Sequence, residues 1–332
     1  MIEFNDLLLQ LNSLGGVARN IELKEGPAGR GFFAKDPKKE VEIKVPLDLL
    51  APVEWLELDE NGDIVLNESC NWNEAKKKFF NDYQKYFGWS GGAKDYIYKF
   101  LSELKNLPEN VKNTLIKLNA RNKLYSGEVL MSDCLSFYLF SRQVIISNKR
   151  YIMPVFELLN HNANINLPWS QLNGLHIKGN FKDEITINYN DRHDAVDLFC
   201  GYGFSTLQNC IYSGFLTINH PNYGRIHIGR FTDEFTTVDG VIYPKVFKDR
   251  DGVKITFLDL CNRANPELPF TIFSKLLLDQ GLSSKAAAEL FEGIKSQNRK
   301  LYIQLLVDLQ NHHGLVDNIV KKMACDQLMA LA

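Results

Sequence analysis

Apolar residues recur every three or four positions at the start of the chain, where Phe4, Leu7, Leu8 and Leu11 share one stripe before Gly15-Gly16. That spacing predicts a short amphipathic helix over about the first twelve residues, ended by the glycines. Residues 26 to 50, GPAGRGFFAKDPKKEVEIKVPLDLL, carry turn chemistry at Gly26, Pro27, Gly29 and Gly31. PKKEVEIKVP then alternates as a half-buried strand does. From about residue 72 to 125 the period returns to 3.6 in WNEAKKKFFNDYQKYF and AKDYIYKFLSELKNL, punctuated by Gly88 to Gly92 and Pro108. Two to four helices are predicted there, and a further one through VLMSDCLSFYLFSRQVI, with Ser132-Asp133 as its cap. YIMPVFELL, GLHIKGNF and EITINYN are rich in β-branched and aromatic residues and predict short antiparallel strands. After a mixed stretch to about residue 260, LPFTIFSKLLLDQ, SSKAAAELFEGIKSQ and NRKLYIQLLVDLQNHHGLVDNIVKKMACDQLMAL predict amphipathic helices, with Ser283 or Ser284 as a cap.

The pattern therefore predicts an α+β chain: a mostly β core, interrupted by a helical insertion and followed by a helical C-terminal domain. With 332 residues and 45% hydrophobic content, the chain has material for one large domain or two ordinary ones. A net charge of -2, from 38 basic and 40 acidic residues, gives no whole-molecule attraction to nucleic acid or to anionic lipid. Cysteines 70, 134, 200, 210, 261 and 325 form no C-x-x-C or C-x-C pair, which argues against a zinc cluster or a stapled secreted scaffold. Reduced thiols and a cytoplasmic protein, with the nucleus also open to it, are expected. MIEFNDLLLQLNSLGG has no basic segment ahead of its apolar run, and no stretch approaches 18 uninterrupted apolar residues, so neither secretion nor a membrane span is expected.

Three separated motifs carry the candidate chemistry. The first is Gly29-Arg30-Gly31 with Phe32, leading to the strand that ends at Pro46. The second is VFELLNHN, residues 155 to 162, with Ser141-Arg142 ahead of it. The third is EITINYNDRHDAVDLFCGYGF, in which Tyr202-Gly203-Phe204 follows Tyr189 by thirteen residues. Alone, the glycines are a turn, Asn160-His161 is a turn with a satisfied polar side chain, Arg142 is an ion pair and Tyr189 is a half-buried strand residue.

In this order and spacing the motifs resemble the SET-domain methyltransferases, in the branch of the plastid Rubisco large-subunit lysine methyltransferase and the actin-histidine methyltransferase. The resemblance rests on residues 20 to 50 and 138 to 204. It implies a SET domain over 1–204, with its core at about 20–50 and 138–204 and a helical insertion at about 51–137. A mainly helical C-terminal domain for substrate docking would occupy 205–332. The core would consist of short antiparallel strands with a knot-like crossing, and no metal is expected.

The resemblance also implies S-adenosylmethionine as cofactor. Gly29, Arg30, Gly31, Arg142, Glu157, Asn160, His161 and Tyr202 would bind it, with Arg30 acting through its backbone and its side chain left free. Arg142 would meet the cofactor's carboxylate. Glu157 stands where the family often has aspartate. Tyr189 would be the catalytic tyrosine, and Phe156, Tyr202 and Phe204 would line the substrate channel. Tyr138 and Phe140 are further aromatic candidates for its wall, equally suited to an ordinary core.

The implied activity is methyl transfer to a lysine of a non-histone protein, with histidine as a second acceptor the branch allows. A protein substrate docked on the helical domain of a monomer is the implied partner. Asn162, Asn190 and the short C-terminal domain depart from the family pattern and leave substrate choice open. The rival readings are a non-catalytic SET-like adaptor that binds a protein partner, and a methyltransferase of a small-molecule amine.

Overall fold

The first helix spans Phe4–Ser13 and buries Leu7, Leu8 and Leu11, the stripe its periodicity marks. The computed structural model describes residues 2–118, 127–165, 173–190, 192–220, 224–230, 236–238, 241–250, 252–279, 281 and 283–332. The fold is α+β, and the chain divides into two units, Met1–Leu101 with Glu128–Tyr189, and Ser102–Gly127 with Asn190–Ala332. The first unit thus ends at Tyr189, whereas the sequence pattern places the domain boundary after Phe204.

In the first unit, Val41–Pro46 pairs antiparallel with Val17–Arg19 on one side and Gly174–Gly179 on the other. Val41, Ile43 and Val45 are wholly buried while Glu42 and Lys44 are not, the alternation of a strand with one face on a core. A second sheet runs in the order Asn160–His161, Glu184–Ile187, Gly29–Ala34, Ile21–Gly26. Its first pair is parallel, so the Asn-His segment lies beside the strand that leads to Tyr189. Both sheets share one core with the helix Phe4–Ser13, including Phe32, Ile43, Phe156 and Ile185. Each such side chain contributes about 1.5–3 kcal/mol by leaving water.

The 72 to 118 region holds the helices Glu74–Tyr86, Lys94–Lys105 and Glu109–Lys117, and the remainder of that predicted stretch up to 125 lies outside the described residues. Ahead of them, Ala51–Pro52, Leu56–Leu58 and Ile64–Leu66 add short strands to what the pattern reads as a helical insertion. The next helix is Met131–Arg142. Asp133 lies inside its first turn, not at the cap, and accepts the Leu130 N–H at 2.9 Å.

YIMPVFELL is not one strand. Lys149–Ile152 is extended, but Val155 has φ +69° and ψ -51°, and the Phe156 N–H reaches the Pro154 carbonyl at 2.8 Å. A γ-turn of this hand is rare, and a buried β-branched residue resists it, so packing on both sides must hold it. It turns the chain into the short helix Phe156–Leu158, immediately before Asn160.

The second unit is less helical than the sequence pattern suggests. The described residues between 210 and 262 are largely β: Leu216–His220, Gly224–Gly229, Gly252–Thr256 and Lys245–Asp249 form one sheet, and Cys210–Tyr212 pairs with Asp259–Asn262. The helices Leu268–Leu278, Ser284–Asp308 and Leu315–Leu331 follow. Ser283 is the cap of the middle one, accepting the Ala286 N–H at 3.2 Å. That helix runs unbroken past the expected break at Gln297-Asn298. Asn298, wholly buried, is satisfied there by Gly214 N, Ser213 Oγ and Ile294 O at 2.9, 3.1 and 2.9 Å.

The helix Ala195–Tyr202 carries Tyr202 at its end, and Gly203 closes it with φ +75°. Its N-terminus is fixed by Asp194, whose carboxylate accepts the Asp197 N–H at 2.9 Å. Arg230 bridges Asp194, at 3.2 Å, and Asp197, and lies over the Tyr212 ring at 4.8 Å. Burial, and then repulsion from Asp197, push the Asp194 carboxyl up to about 7 despite Arg230.

Among the described residues no helix is long and apolar enough to cross a membrane, and no group of three or more His, Cys, Asp or Glu side chains could hold a metal ion.

Candidate functional site

Gly29, with φ +92°, ends the two-residue turn that joins Ile21–Gly26 to Gly29–Ala34. A Cβ there would meet nothing within 4 Å. Gly31 differs: a Cβ would fall 2.3 Å from Glu184 Oε1 and 2.6 Å from Asn160 Nδ2. Glycine at 31 is what lets those two side chains meet over the strand.

Asn160 Nδ2 donates to Glu184 Oε1 at 2.5 Å and to the Arg30 carbonyl at 3.3 Å. It joins the G-x-G strand to the neighbouring strand across 130 positions of sequence. His161 Nδ1 accepts the Tyr189 N–H at 3.1 Å, so the neutral ring carries its proton on Nε2. Tyr189 Oη donates to the Leu159 carbonyl at 2.8 Å, and the Asn162 N–H reaches the Ile187 carbonyl at 2.9 Å. Residues 159 to 162 are thereby clasped against 187 to 189. Because the only hydroxyl proton of Tyr189 goes to Leu159, any further bond to its oxygen must arrive as a donor.

Beside this clasp lies a buried polar cluster. Glu157, 6% exposed, accepts from Tyr83 Oη and Tyr138 Oη, both at 2.7 Å and both on Oε1. Gln84 Oε1 lies 3.0 Å from the Tyr138 hydroxyl and accepts the Trp89 N–H at 3.0 Å. Arg142 reaches the Glu157 carbonyl at 3.4 Å and stacks over the Tyr138 ring at 5.4 Å. Burial pushes the Glu157 carboxyl above the ordinary glutamate range, opposed first by the Arg142 charge and then by the two hydroxyls. Glu157 Oε2, Arg142 Nε and Gln84 Nε2 are buried without a hydrogen-bond partner. Such groups cost about 1–3 kcal/mol each when left unpaired.

Arg30 does not have a free side chain. Its guanidinium donates to the Phe87 carbonyl at 2.5 Å and the Gly91 carbonyl at 3.2 Å, at the end of the helix Glu74–Tyr86. Phe156 is wholly buried in the core, and Phe140 is 53% exposed. Tyr138 is wholly buried with its hydroxyl on Glu157. Tyr202 and Phe204, with ring centroids 6.1 Å apart, belong to the second unit, where His193 lies 5.7 Å from Tyr202. The first unit thus brings together Gly29, Arg30, Gly31, Arg142, Glu157, Asn160, His161 and Tyr189.

Tyr83 and Glu184 are the contributors that the sequence pattern does not single out. Tyr83 lies in the apolar stripe with Phe79 and Phe80, and its only signal is a hydroxyl on a face that must be buried. Glu184 begins a strand and has no local signal at all.

No protein-family model matches this chain, and no curated protein matches it. Among solved structures it is similar to the SET domain of LSMT bound to lysine and AdoHcy, at 14% identity and a TM-score of 0.43, over 99% of this chain and 90% of that one. It is also similar to Rubisco LSMT bound to AdoMet, at 13% identity and a TM-score of 0.43, over 98% and 89% of the two chains. Rubisco LSMT bound to sinefungin and monomethyllysine is matched at 13% identity and a TM-score of 0.41, with the same coverage.

Proposed function

We propose that this chain is a SET-type, S-adenosylmethionine-dependent protein methyltransferase that acts on a lysine side chain of a non-histone protein. The observation that carries the reading is the convergence of its motifs: Asn160 bonded to the backbone of the G-x-G strand, and His161 and Leu159 clasping Tyr189. No local element requires residues 30, 160 and 189 to meet. The resemblance in their order and spacing supplies a reason.

The donor set suits the cofactor. Glu157 Oε2 and Arg142 Nε, buried and unpartnered, match a ligand that carries an ammonium and a carboxylate, as the amino-acid end of S-adenosylmethionine does. Arg142 would hold the carboxylate, and Asn160, His161 and the backbone at Gly29 to Gly31 would hold the rest. When bound, the cofactor supplies a methyl group on a positively charged sulfur.

The chain's own task is alignment and desolvation. Tyr189, its proton committed to Leu159, offers lone pairs that would accept an N–H of the acceptor and so aim the nitrogen's own lone pair. That nitrogen must be neutral, whereas an unperturbed lysine, with a pKa of about 10.4, is neutral in roughly one molecule of a few thousand at pH 7. An apolar channel beside a cation lowers that pKa. The second unit is assigned to substrate docking. Ile303 and Val307, four positions apart on one helix, stand 50% and 53% exposed there.

Asn160→Ala loses its two hydrogen bonds to Glu184 and the Arg30 carbonyl. It is expected to weaken binding of S-adenosylhomocysteine about 10-fold, as loss of one charge-assisted hydrogen bond would. Unchanged affinity in a folded variant, read by calorimetry, returns Asn160 to a purely structural role.

Methyl-labelled S-adenosylmethionine, incubated with the protein and a cell lysate, tests the activity. Label recovered as methyl-lysine after acid hydrolysis is the expected result. Recovery as methyl-histidine moves the acceptor, label on small molecules alone moves the substrate class, and absence of label despite cofactor binding favours the adaptor.

A further inference from the structure

The insertion helix Glu74–Tyr86 packs Phe79, Phe80 and Tyr83 on one buried face, where a phenylalanine at 83 would fill the same space. The hydroxyl is therefore not needed for packing. It is wholly buried and given to Glu157 Oε1 at 2.7 Å. Tyr138, from the helix Met131–Arg142, gives its own hydroxyl to the same oxygen at 2.7 Å. Both donors fall on one oxygen, which leaves Oε2 buried without a partner. An unsatisfied buried polar atom calls for an explanation.

The end of the same helix also holds Arg30. The carbonyls of Phe87 and Gly91 take its guanidinium, where the helix dipole favours a cation, and the Arg30 carbonyl in turn accepts from Asn160. Gly88, between them, has no room for a side chain: a Cβ would lie 2.7 Å from Gln84 Oε1 and 3.1 Å from Tyr138 Oη. One helix end thus touches both the Glu157 carboxylate and the G-x-G strand.

We propose that Tyr83, with Tyr138, is a positioning residue of the cofactor site, holding the Glu157 carboxylate so that Oε2 stays directed to the ligand's cationic group. The inference rests on the cofactor reading above and adds the helical insertion to the site. Four residues from three elements face Glu157: the hydroxyl of Tyr83 from the helix Glu74–Tyr86, the hydroxyl of Tyr138 and the charge of Arg142 from the helix Met131–Arg142, and the charge of Arg30 from the strand Gly29–Ala34. The carboxylate is the binding form. Binding is therefore present above its pKa and lost as pH falls through it. Burial raises that pKa, and the hydroxyls hold it down. Removing the Tyr83 hydroxyl moves the loss of binding to higher pH.

The test is calorimetric affinity for S-adenosylhomocysteine from about pH 5 to 8, for the native chain, Tyr83→Phe, Glu157→Gln and the double variant. Tyr83→Phe is expected to move the acidic fall in affinity up by about one pH unit, the equivalent of one charge-assisted hydrogen bond. In the Glu157→Gln background, which has no carboxylate to titrate, the same substitution is expected to change affinity by less than about twofold. Tyr138→Phe, which strips the same oxygen, gives the same shift and serves if Tyr83→Phe does not fold. A variant that melts at lower temperature but keeps the native pH profile overturns the proposal, as do effects that simply add. A native chain that binds no S-adenosylhomocysteine at any pH overturns the cofactor reading itself, whereas native binding with an unmoved variant profile overturns only the role of Tyr83.

Discussion

Tyr189→Phe is expected to lower methyl transfer by about 100-fold or more while leaving affinity for S-adenosylhomocysteine within about threefold of native. The ring packs partly buried against the core of the first unit, and phenylalanine keeps that packing. What is lost is one hydroxyl, held at 2.8 Å on the Leu159 carbonyl. The Leu159 carbonyl then loses a donor. The backbone bond from Tyr189 to His161 does not involve the hydroxyl, so the clasp survives and the fold should change little. If the oxygen aims the acceptor nitrogen, its loss appears in kcat and hardly in cofactor binding. A variant with native turnover removes Tyr189 from the chemistry. One that loses binding and turnover together makes the hydroxyl structural.

The second large effect concerns Arg142→Met. The side chain is only partly exposed and its Nε is fully buried, and its charge is the strongest influence opposing the cost of burying Glu157 as a carboxylate. Arg142 reaches the Glu157 backbone carbonyl, at 3.4 Å, and acts on the carboxylate through its charge without a direct salt bridge, so its removal is expected to cost about 1–3 kcal/mol, less than breaking a contacting buried pair. Methionine retains much of the packing, so the loss is mainly electrostatic.

Its pH dependence has a definite sign. Burial already raises the folded pKa of Glu157 above the unfolded value of about 4.3, so this group favours the fold most at low pH and progressively less as pH rises through the folded pKa. Without Arg142 that folded pKa climbs further. Arg142→Met should therefore be least stable relative to native near pH 8 and recover toward pH 5. Adding Glu157→Gln should return most of the loss at pH 8. Thermal melts across pH measure all three, and a loss that is flat with pH and indifferent to Glu157→Gln would show that the two residues are not coupled. Affinity for S-adenosylhomocysteine should fall as well, since Arg142 is the assigned partner of the cofactor's carboxylate.

The candidate-site residues are marked in the sequence by what a family resemblance implies, because each motif alone reads as an ordinary turn, strand or ion pair. Of them, the structure bonds Asn160 to the Arg30 carbonyl and the Tyr189 N–H to His161, and a Cβ at Gly31 would collide with Asn160. Helix ends and strand alternation were legible for the usual reason, a period of 3.6 or 2 over a buried face, as in Phe4–Ser13 and Val41–Pro46. Other features depend on tertiary context. The γ-turn at Val155 contradicts the preference of a β-branched residue and exists only because the chain on either side is fixed. Asn298 resembles a helix breaker until Ser213 and Gly214 satisfy it. Tyr83 and Glu184 find partners 74 and 24 positions away, which no local pattern encodes. The β character of the described residues between 210 and 262 reads in the sequence only as a mixed stretch, because the strands are three to six residues long.

The most direct test of the account is calorimetric titration of the purified chain with S-adenosylhomocysteine, because it requires no knowledge of the acceptor. Saturable one-to-one binding with a Kd of roughly micromolar order, about -8 kcal/mol, is predicted. Absence of binding at about millimolar ligand, by a protein that melts cooperatively, would contradict it, and the convergence of Asn160, His161 and Tyr189 would then belong to the fold alone.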